Sequence, residues 1–171
     1  MIRLESFTEA DYNLLISWVD NEEMLMQFAG PGFSYPLTHE QLKESQNNPK
    51  RIPFKVVDAG SDVTIGHAEI YIGDTTAYLG KILIGPVSQR GKGICQEIVR
   101  QLLELVFNNY HQVQVELNVF DWNTRAIHCY QKSGFRINAG KKAERNVNGR
   151  IWTVINMTID HLQWKEKLCS S

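Results

Sequence analysis

Seven stretches of the chain have the hydrophobic pattern of β-strands. Some alternate apolar and polar residues strictly, and others are apolar-rich runs bounded by turn residues. The clearest alternation places Val113, Val115, Leu117 and Val119 on one face of a strand. An Asn148-Gly149 pair between the last two strands is typical of a β-hairpin turn. The predicted strands are 2–7, 51–58, 63–72, 77–84, 113–119, a strand from 135 onward, and 151–159.

Four stretches have helical spacing instead. One follows Thr8, and a second short helix begins at Thr38, whose spacing to Gln41 resembles a capping box. A long amphipathic helix is predicted from about Lys92 to Asn109, because apolar residues recur there every three or four positions. The last helix is short and is bracketed by Asn123 as its N-cap and by Gly134 just past its end.

This order of elements predicts the fold class. A strand, two helices, three strands, a helix, a strand, a helix and two strands make one mixed, mostly antiparallel twisted sheet flanked by helices, an α/β (α+β) arrangement. With 171 residues, of which 43% are hydrophobic, the chain can bury one sizeable core. We therefore expect a single domain over residues 1–171. The Gly- and Pro-rich segment 28–36 is predicted to be a loop, either a border of a substrate pocket or a simple connection.

Charge and targeting signals narrow the partners and the compartment. The 18 Lys and Arg residues nearly balance the 19 Asp and Glu residues, so no general positive field attracts nucleic acid or an anionic membrane. A small or peptide-like partner is expected. The N-terminal stretch has no apolar signal core, and no segment has the roughly 18 to 20 apolar residues of a membrane helix, which predicts a soluble, cytoplasmic protein.

The three cysteines are Cys95, Cys129 and Cys169. Their odd number and their spacing, without any CxxC pair, argue against a disulfide framework and against a zinc site. We therefore expect reduced thiols and no metal.

The most informative segment is Gln89-Arg90-Gly91-Lys92-Gly93-Ile94-Cys95, which lies between a strand and the long helix. Glycines allow a ligand to approach the backbone, and free N–H groups at a helix start attract phosphate oxygens. A P-loop is excluded because Gly-Lys is followed by Gly93, and the GxGxxG fingerprint fails at Gln96. The segment predicts a pyrophosphate site; a glycine-rich turn without a ligand is the alternative.

Two motifs resemble the GNAT superfamily of N-acetyltransferases. Its diphosphate loop follows the pattern [Q/R]xxGx[G/A], and Arg90, Gly93 and Cys95 occupy these positions, with Cys replacing the usual Gly or Ala. About thirty residues later the family pattern LxV...NxxAxxxYxxxGF is matched at every named position. The matching residues are Leu117, Val119, Asn123, Ala126, Tyr130, Gly134 and Phe135. The resemblance is strong over about 79–135, and the flanking elements agree in order.

The resemblance implies an activity and a set of site residues. The activity is direct transfer of an acetyl group from acetyl-CoA to an amine in a ternary complex, without an acyl-enzyme. Tyr130 would protonate the leaving sulfur as the catalytic acid. The implied cofactor-binding residues are Ile82, Leu83, Ile84, Arg90, Gly91, Lys92, Gly93, Ile94, Cys95 and Asn123.

The general base is not determined by the sequence. Many family members have a Glu where this chain has Tyr78. Glu69, His67, Glu116 and a bound water are the candidates, and each of the three side chains is expected on a solvated surface. An α-amino group, whose pKa in unstructured peptides is about 7.7 to 8.0, needs less help to lose its proton than a lysine does. The missing base therefore slightly favours an N-terminal amine or another low-pKa amine as the acceptor.

The acceptor also stays open. The N-terminal segment loosely resembles the branch of ribosomal-protein-alanine N-acetyltransferases, whose members also acetylate polyamines and aminoglycosides. Asp20, Glu22 and Glu23 could attract a cation or form a solvated helix end. A non-catalytic acyl-CoA sensor and an acyltransferase with a different acyl donor are the competing functions. A homodimer through a terminal strand is a further possibility.

Overall fold

The structure is a computed structural model and describes residues 1–170. A seven-stranded sheet forms its centre, and six α-helices are found in this range, compared with about four predicted. The strands are β1 Ile2–Ser6, β2 Arg51–Asp58, β3 Thr64–Ile72, β4 Thr76–Ile84, β5 Gln114–Phe120, β6 Arg136–Val147 and β7 Arg150–Asp160. The helices are α1 Tyr12–Ser17, α2 Glu22–Ala29, α3 His39–Gln46, α4 Ile94–Glu104, α5 Thr124–Lys132 and α6 His161–Cys169.

The strand order in the sheet is β1-β2-β3-β4-β5-β7-β6. The β4–β5 pair is parallel, and the other five pairs are antiparallel. A parallel neighbour requires a crossover connection, and α4 provides it between β4 and β5. The predicted mixed, mostly antiparallel sheet is therefore confirmed.

The main core lies between the sheet and α4 with α5. Ile98 and Leu102 of α4 are fully buried against Val115 and Leu117 of β5 and Met157 of β7. The apolar residues that alternate along β5 and those that recur at helical spacing along α4 therefore pack in the same apolar layer. The helix continues as a π-helical turn over Leu105–Asn109, where the long predicted helix was expected to end.

A second apolar cluster covers the other face of the sheet. Tyr12, Leu15, Leu25 and Leu42 from α1, α2 and α3 pack together and contact Leu83 of β4. Leu83 faces this cluster because neighbouring residues of a strand point to opposite faces, whereas Ile82 and Ile84 pack on the main core. The helices α1, α2 and α3 are thereby fixed beside the second half of β4.

Two helices were not predicted from the sequence. No helix was predicted for Glu22–Ala29, whose last two residues were placed in the loop 28–36, but Asn21 caps this segment and Leu25 and Phe28 bury its apolar face. Helix α6 has a single buried residue, Trp164, which leaves no periodicity to detect. Short helices of this kind are stabilised mainly by tertiary packing, so their sequence signal is weak.

The remaining boundaries agree closely with the prediction. Helix α4 begins at Ile94 because Gly93 has a left-handed φ of 77° and ends the preceding turn. Asn148 and Gly149 both have positive φ in the β6–β7 hairpin, as the turn signal predicted. No helix in residues 1–170 is long and apolar enough to cross a membrane.

Replacing Leu102 by Ala tests the main core. Leu102 is fully buried, so Leu102→Ala leaves a cavity and lowers the free energy of unfolding by about 2–5 kcal/mol, measured by urea denaturation. Leu162→Ala is the control, because Leu162 is 67% exposed and its truncation changes stability by about 0.5 kcal/mol or less. Equal losses in the two variants would contradict the burial assignment.

Candidate active site

Strands β4 and β5 separate in the middle of the sheet. Their parallel pairing runs from Thr76 opposite Gln114 to Leu79 opposite Leu117 and stops there. Beyond that point β4 still pairs with β3, and β5 still pairs with β7 as far as Phe120. Each strand therefore has one unpaired edge, and the two edges face a gap whose N–H and C=O groups need a partner.

A bulge in β4 lies at the mouth of this gap. The β3–β4 register shifts between His67 and Glu69, and Lys81 has a left-handed φ of 50°, which is uncommon for a residue with a side chain. The Nδ1 atom of His67 lies 2.8 Å from the Lys81 carbonyl oxygen. A carbonyl only accepts hydrogen bonds, so Nδ1 carries the proton and donates it.

The ring of His67 is buried between Phe7 and Phe28. Burial lowers the pKa of His67 from 6.5 to about 4, because the charged imidazolium loses its hydration. The neutral ring is therefore the form that holds the bulge at neutral pH.

The backbone direction beyond the bulge determines which groups reach the gap. The N–H of Gly85 donates to the Ile65 carbonyl on β3 at 3.0 Å. Successive residues of a strand direct their N–H groups to opposite edges. The N–H group of Leu83 therefore also points toward β3, and the N–H groups of Ile82 and Ile84 point toward the gap.

The glycine segment lies next to this edge. Gly91 and Gly93 have φ values of 80° and 77°, and a Cβ added to either would meet nothing within 4 Å. Their backbone is thus open to a ligand at the start of α4, where the first N–H groups of the helix lack intrahelical partners. The guanidinium of Arg90 donates to the carbonyls of Ile84 and Gly85 at 3.1 and 3.2 Å, which ties the segment to the end of β4. Lys92 hydrogen-bonds to Gln89 and is exposed.

The expectation of reduced thiols is wrong for two of the cysteines. Cys95 in the first turn of α4 forms a disulfide with Cys129 of α5, with their Cα atoms 6.3 Å apart. The two residues are 34 positions apart in sequence, and only the side-by-side packing of α4 and α5 brings them together. Cys169 is free and exposed. No cluster of three or more potential metal ligands is present within residues 1–170.

Helix α5 carries Asn123 at its start and Tyr130 near its end. The Asn123 side chain caps the helix by accepting from the Ala126 N–H at 3.3 Å. Its amide NH₂ group makes no hydrogen bond within the described residues. Tyr130 is buried beside Phe135, and burial raises the pKa of its phenol to about 12. The phenol therefore keeps its proton at neutral pH.

The three side chains considered as bases are buried, not solvated as expected. His67 is 2% exposed, Glu69 is 6% exposed and Glu116 is 4% exposed. The Glu69 carboxylate receives hydrogen bonds from Arg51 at 2.5 Å and from the Lys81 ammonium at 2.9 and 3.0 Å. Lone charges are too costly to bury, so a carboxylate in this position requires its cationic partners.

Glu116 has different partners. Its two oxygens accept from the Lys141 ammonium at 2.9 Å each, and from the side-chain amides of Asn156 and Gln114 at 3.2 and 2.9 Å. Glu116 lies on the sheet face opposite α4, beside Asn118, which is exposed in the middle of the sheet. Asn118 is therefore an exposed position on a face where Glu116 and Asn156 are buried.

Sequence reasoning missed three aromatic residues near the end of β5. The Phe120 ring stacks parallel to Trp122 at 6.0 Å, and Trp152 of β7 meets both rings edge-on. Trp122 is 45% exposed, which leaves an apolar surface near the gap. The tryptophan directly before Asn123 was the only sequence signal for this aromatic group, because its partner Trp152 is distant in sequence.

The pH dependence of stability tests the neutral state of His67. Because its pKa in the folded protein lies below the unfolded value of 6.5, its contribution is complete above pH 6.5 and is lost as pH falls toward 4. Between pH 7.5 and pH 5 the free energy of unfolding should fall by about 2 kcal/mol from this residue. In the His67→Asn variant, which keeps an N–H donor, the free energy of unfolding measured by urea titration should fall less over this pH range, because the contribution of His67 is gone. His111→Asn at an exposed position leaves it unchanged, and equal behaviour of the two variants would contradict the assignment.

Comparisons with known proteins identify the family. The family model of the acetyltransferase (GNAT) domain matches residues 2–136. Aminoglycoside N(6')-acetyltransferase type 1 of Klebsiella pneumoniae is 28% identical over 149 residues, covering 78% of this chain and 73% of that protein. The same identity and coverage are found for the protein of that name from Serratia marcescens.

Two solved structures share the fold. A spermidine N-acetyltransferase from Vibrio cholerae in complex with CoA and spermine has a TM-score of 0.81 and 22% identity, over 96% of this chain and 98% of that one. An aminoglycoside acetyltransferase in complex with coenzyme A and kanamycin has a TM-score of 0.73 and 22% identity, over 97% and 98%. These structures confirm the predicted fold. The family model confirms the predicted enzyme class and acetyl donor, and this chain belongs to the GNAT family of acetyl-CoA-dependent N-acetyltransferases.

Proposed function

We propose that this protein transfers the acetyl group of acetyl-CoA directly to a primary amine of a small polycationic molecule, a polyamine or an aminosugar. The observation that carries the proposal is the gap between β4 and β5, which lies beside a glycine segment at the start of α4. An extended pantetheine arm can pair with the free strand edge while its diphosphate meets free N–H groups.

The donor is held by backbone groups more than by side chains. The N–H groups of Ile82 and Ile84 face the arm and the thioester, while Leu83 anchors the strand in the second apolar cluster. The diphosphate lies on the N–H groups of residues 91–95, where the positive end of the helix dipole adds to the attraction. Lys92 adds a charge, and Arg90 keeps the segment against β4. The Asn123 amide NH₂ group, which has no hydrogen-bond partner within the described residues, donates to the pantetheine arm.

The chemistry follows from this arrangement. The neutral amine attacks the thioester carbonyl carbon, and the Ile82 N–H stabilises the oxyanion as the new C–N bond forms. The C–S bond then breaks, and Tyr130 gives its proton to the departing thiolate. The amine nitrogen gives its surplus proton to a bound water, and the Tyr130 phenolate takes one proton back from solvent, so the reaction neither gains nor loses a proton. An acyl-cysteine plays no part, because Cys95 and Cys129 are joined to each other.

A bound water is the proposed proton acceptor for the amine. His67 is committed to the Lys81 carbonyl, and Glu69 is held by two cations. The exposed position of Asn118 gives water access to this side of the gap. A low-pKa amine therefore reacts most readily.

The acceptor class rests on two arguments. The curated relatives carry the name aminoglycoside N(6')-acetyltransferase, and a structural neighbour was solved with spermine. On this face the Glu116 carboxylate pairs with the exposed ammonium group of Lys141, so the site accommodates a primary ammonium group, which favours a cationic acceptor over a neutral one. A protein N-terminal amine, which the sequence favoured slightly, is the second candidate.

Turnover with an amine panel tests the proposal. Release of the CoA thiol from acetyl-CoA is measured with kanamycin, spermidine and a peptide with a free N-terminus, and each product is checked by mass. We expect acetylation of at least one polycation and little of the peptide. Turnover of the peptide alone would overturn the acceptor class. Binding of acetyl-CoA without turnover of any amine would favour a non-catalytic acyl-CoA sensor. Turnover only with longer acyl thioesters would contradict acetyl-CoA as the donor.

Replacing Tyr130 by Phe tests the acid. Loss of the phenol proton should lower kcat by about 100-fold to 10,000-fold with nearly unchanged affinity for CoA, as is typical for general acids. Tyr110→Phe is the matched control, since Tyr110 is exposed at the end of the π-helical turn. Unchanged single-turnover rates in Tyr130→Phe would exclude Tyr130 as the acid.

Replacing Gly93 by Asp tests the diphosphate site. The substitution puts a side chain and a negative charge where the phosphates bind, so the Kd for CoA should rise at least tenfold in calorimetric titrations. Gly149→Asp has the same backbone penalty, because its φ is 80°, but it lies in the β6–β7 hairpin and should leave the Kd unchanged. Equal Kd values for the two variants would place the diphosphate elsewhere.

Three expectations from the sequence stay predictions. These are a single domain spanning residues 1–171, a homodimer through a terminal strand, and a cytoplasmic location.

A further inference from the structure

Glu116 is a buried carboxylate whose cationic partner is an exposed lysine. The Glu116 side chain is 6% exposed, whereas the Lys141 side chain that bonds to both of its oxygens is 56% exposed. The other donors to the carboxylate, Asn156 and Gln114, are neutral amides. The site therefore holds one primary ammonium group against the buried Glu116 carboxylate.

Lys141 is attached to an irregular part of its strand. The β6–β7 register runs regularly up to Asn138 opposite Asn156 and resumes only at Lys142 opposite Ile155, so residues 139–141 lie outside the ladder. A long exposed side chain loses about 1.5 to 2 kcal/mol of rotamer entropy when it is fixed. Such a lysine can leave the carboxylate at small cost if another ammonium group takes its place.

The site lies close to the proposed thioester position. Glu116 is the register partner of Tyr78, one pair before β4 and β5 separate. Four residue steps along β4, at most about 13 Å, separate Tyr78 from Ile82. Asn118, two residues beyond Glu116 on the same face, is exposed.

Aromatic rings border the same site. Tyr78 is 39% exposed and lies beside Glu116, and its ring is 6.2 Å from that of Tyr71. Aromatic faces attract ammonium groups and pack against methylene chains. A cation on an alkyl or sugar scaffold fits this surface better than a bare metal ion.

We propose that Glu116 binds a second, non-reacting ammonium group of the acceptor, and that Lys141 occupies this site until the acceptor displaces it. The ligand class is a diamine, a polyamine or an aminosugar with a second cation besides the reacting amine. This proposal rests on the proposed function, because it names the part of the site that recognises the acceptor.

The test compares α,ω-diamines with monoamines of the same chain length in steady-state kinetics. The wild-type protein is expected to have a lower KM for the diamine. Glu116→Gln keeps the shape but removes the charge, so the diamine KM should rise by about tenfold to a hundredfold while the monoamine KM stays the same. Lys141→Met removes the internal competitor, so the diamine KM should fall several-fold. Lys142→Met, an exposed neighbour in the same strand, is the control and should change neither KM.

The outcomes separate this proposal from the proposed function. Turnover of monoamines and diamines with equal KM values, or equal effects of Glu116→Gln on both, would overturn the subsite while leaving N-acetyl transfer intact. A rise in the diamine KM for Lys141→Met would show that Lys141 supports binding and would also overturn the proposal. Absence of turnover with every amine would instead contradict the proposed function. Thermal melting of each variant verifies that it is folded.

Discussion

The separation of β4 and β5 after Leu79 is the constraint on which the rest of the site depends. Two strands in the middle of a sheet lose their mutual hydrogen bonds there, and buried backbone groups without partners are costly. The fold tolerates this because each strand keeps its other neighbour, β3 or β7, and because the gap leads to the start of α4. An extended ligand with amide groups can satisfy the same edges.

Buried polar groups hold the gap in shape. The bulge at Lys81 directs the following residues of β4, and the His67 ring donates a hydrogen bond to the Lys81 carbonyl. The Lys81 side chain is in turn fixed by Glu69, which Arg51 also holds. On the other side of the gap the disulfide between Cys95 and Cys129 joins the first turn of α4 to α5, next to Tyr130. The proposed thioester position is thus fixed from both sides of the sheet.

The sequence was informative where one local pattern determines the structure. The alternation of Val115, Leu117 and Val119, the cap at Asn123 and the left-handed turn at Gly93 each depend on neighbours in the chain. Helices α2 and α6 were missed because their few buried residues gain stability only from tertiary contacts. The pairs that shape the site join distant positions: His67 with Lys81, Cys95 with Cys129, and Glu116 with Lys141. Local patterns carry no information about such pairs, so all three candidate bases were expected on the surface.

A crystal structure of the protein with acetyl-CoA tests the central claim most directly. The account predicts that the pantetheine arm lies between β4 and β5, with the thioester oxygen within hydrogen-bond distance of the Ile82 N–H and the sulfur beside the Tyr130 hydroxyl. The diphosphate should contact the N–H groups of residues 91–95. A cofactor bound outside the gap, or a gap closed by renewed pairing of β4 with β5, would contradict it.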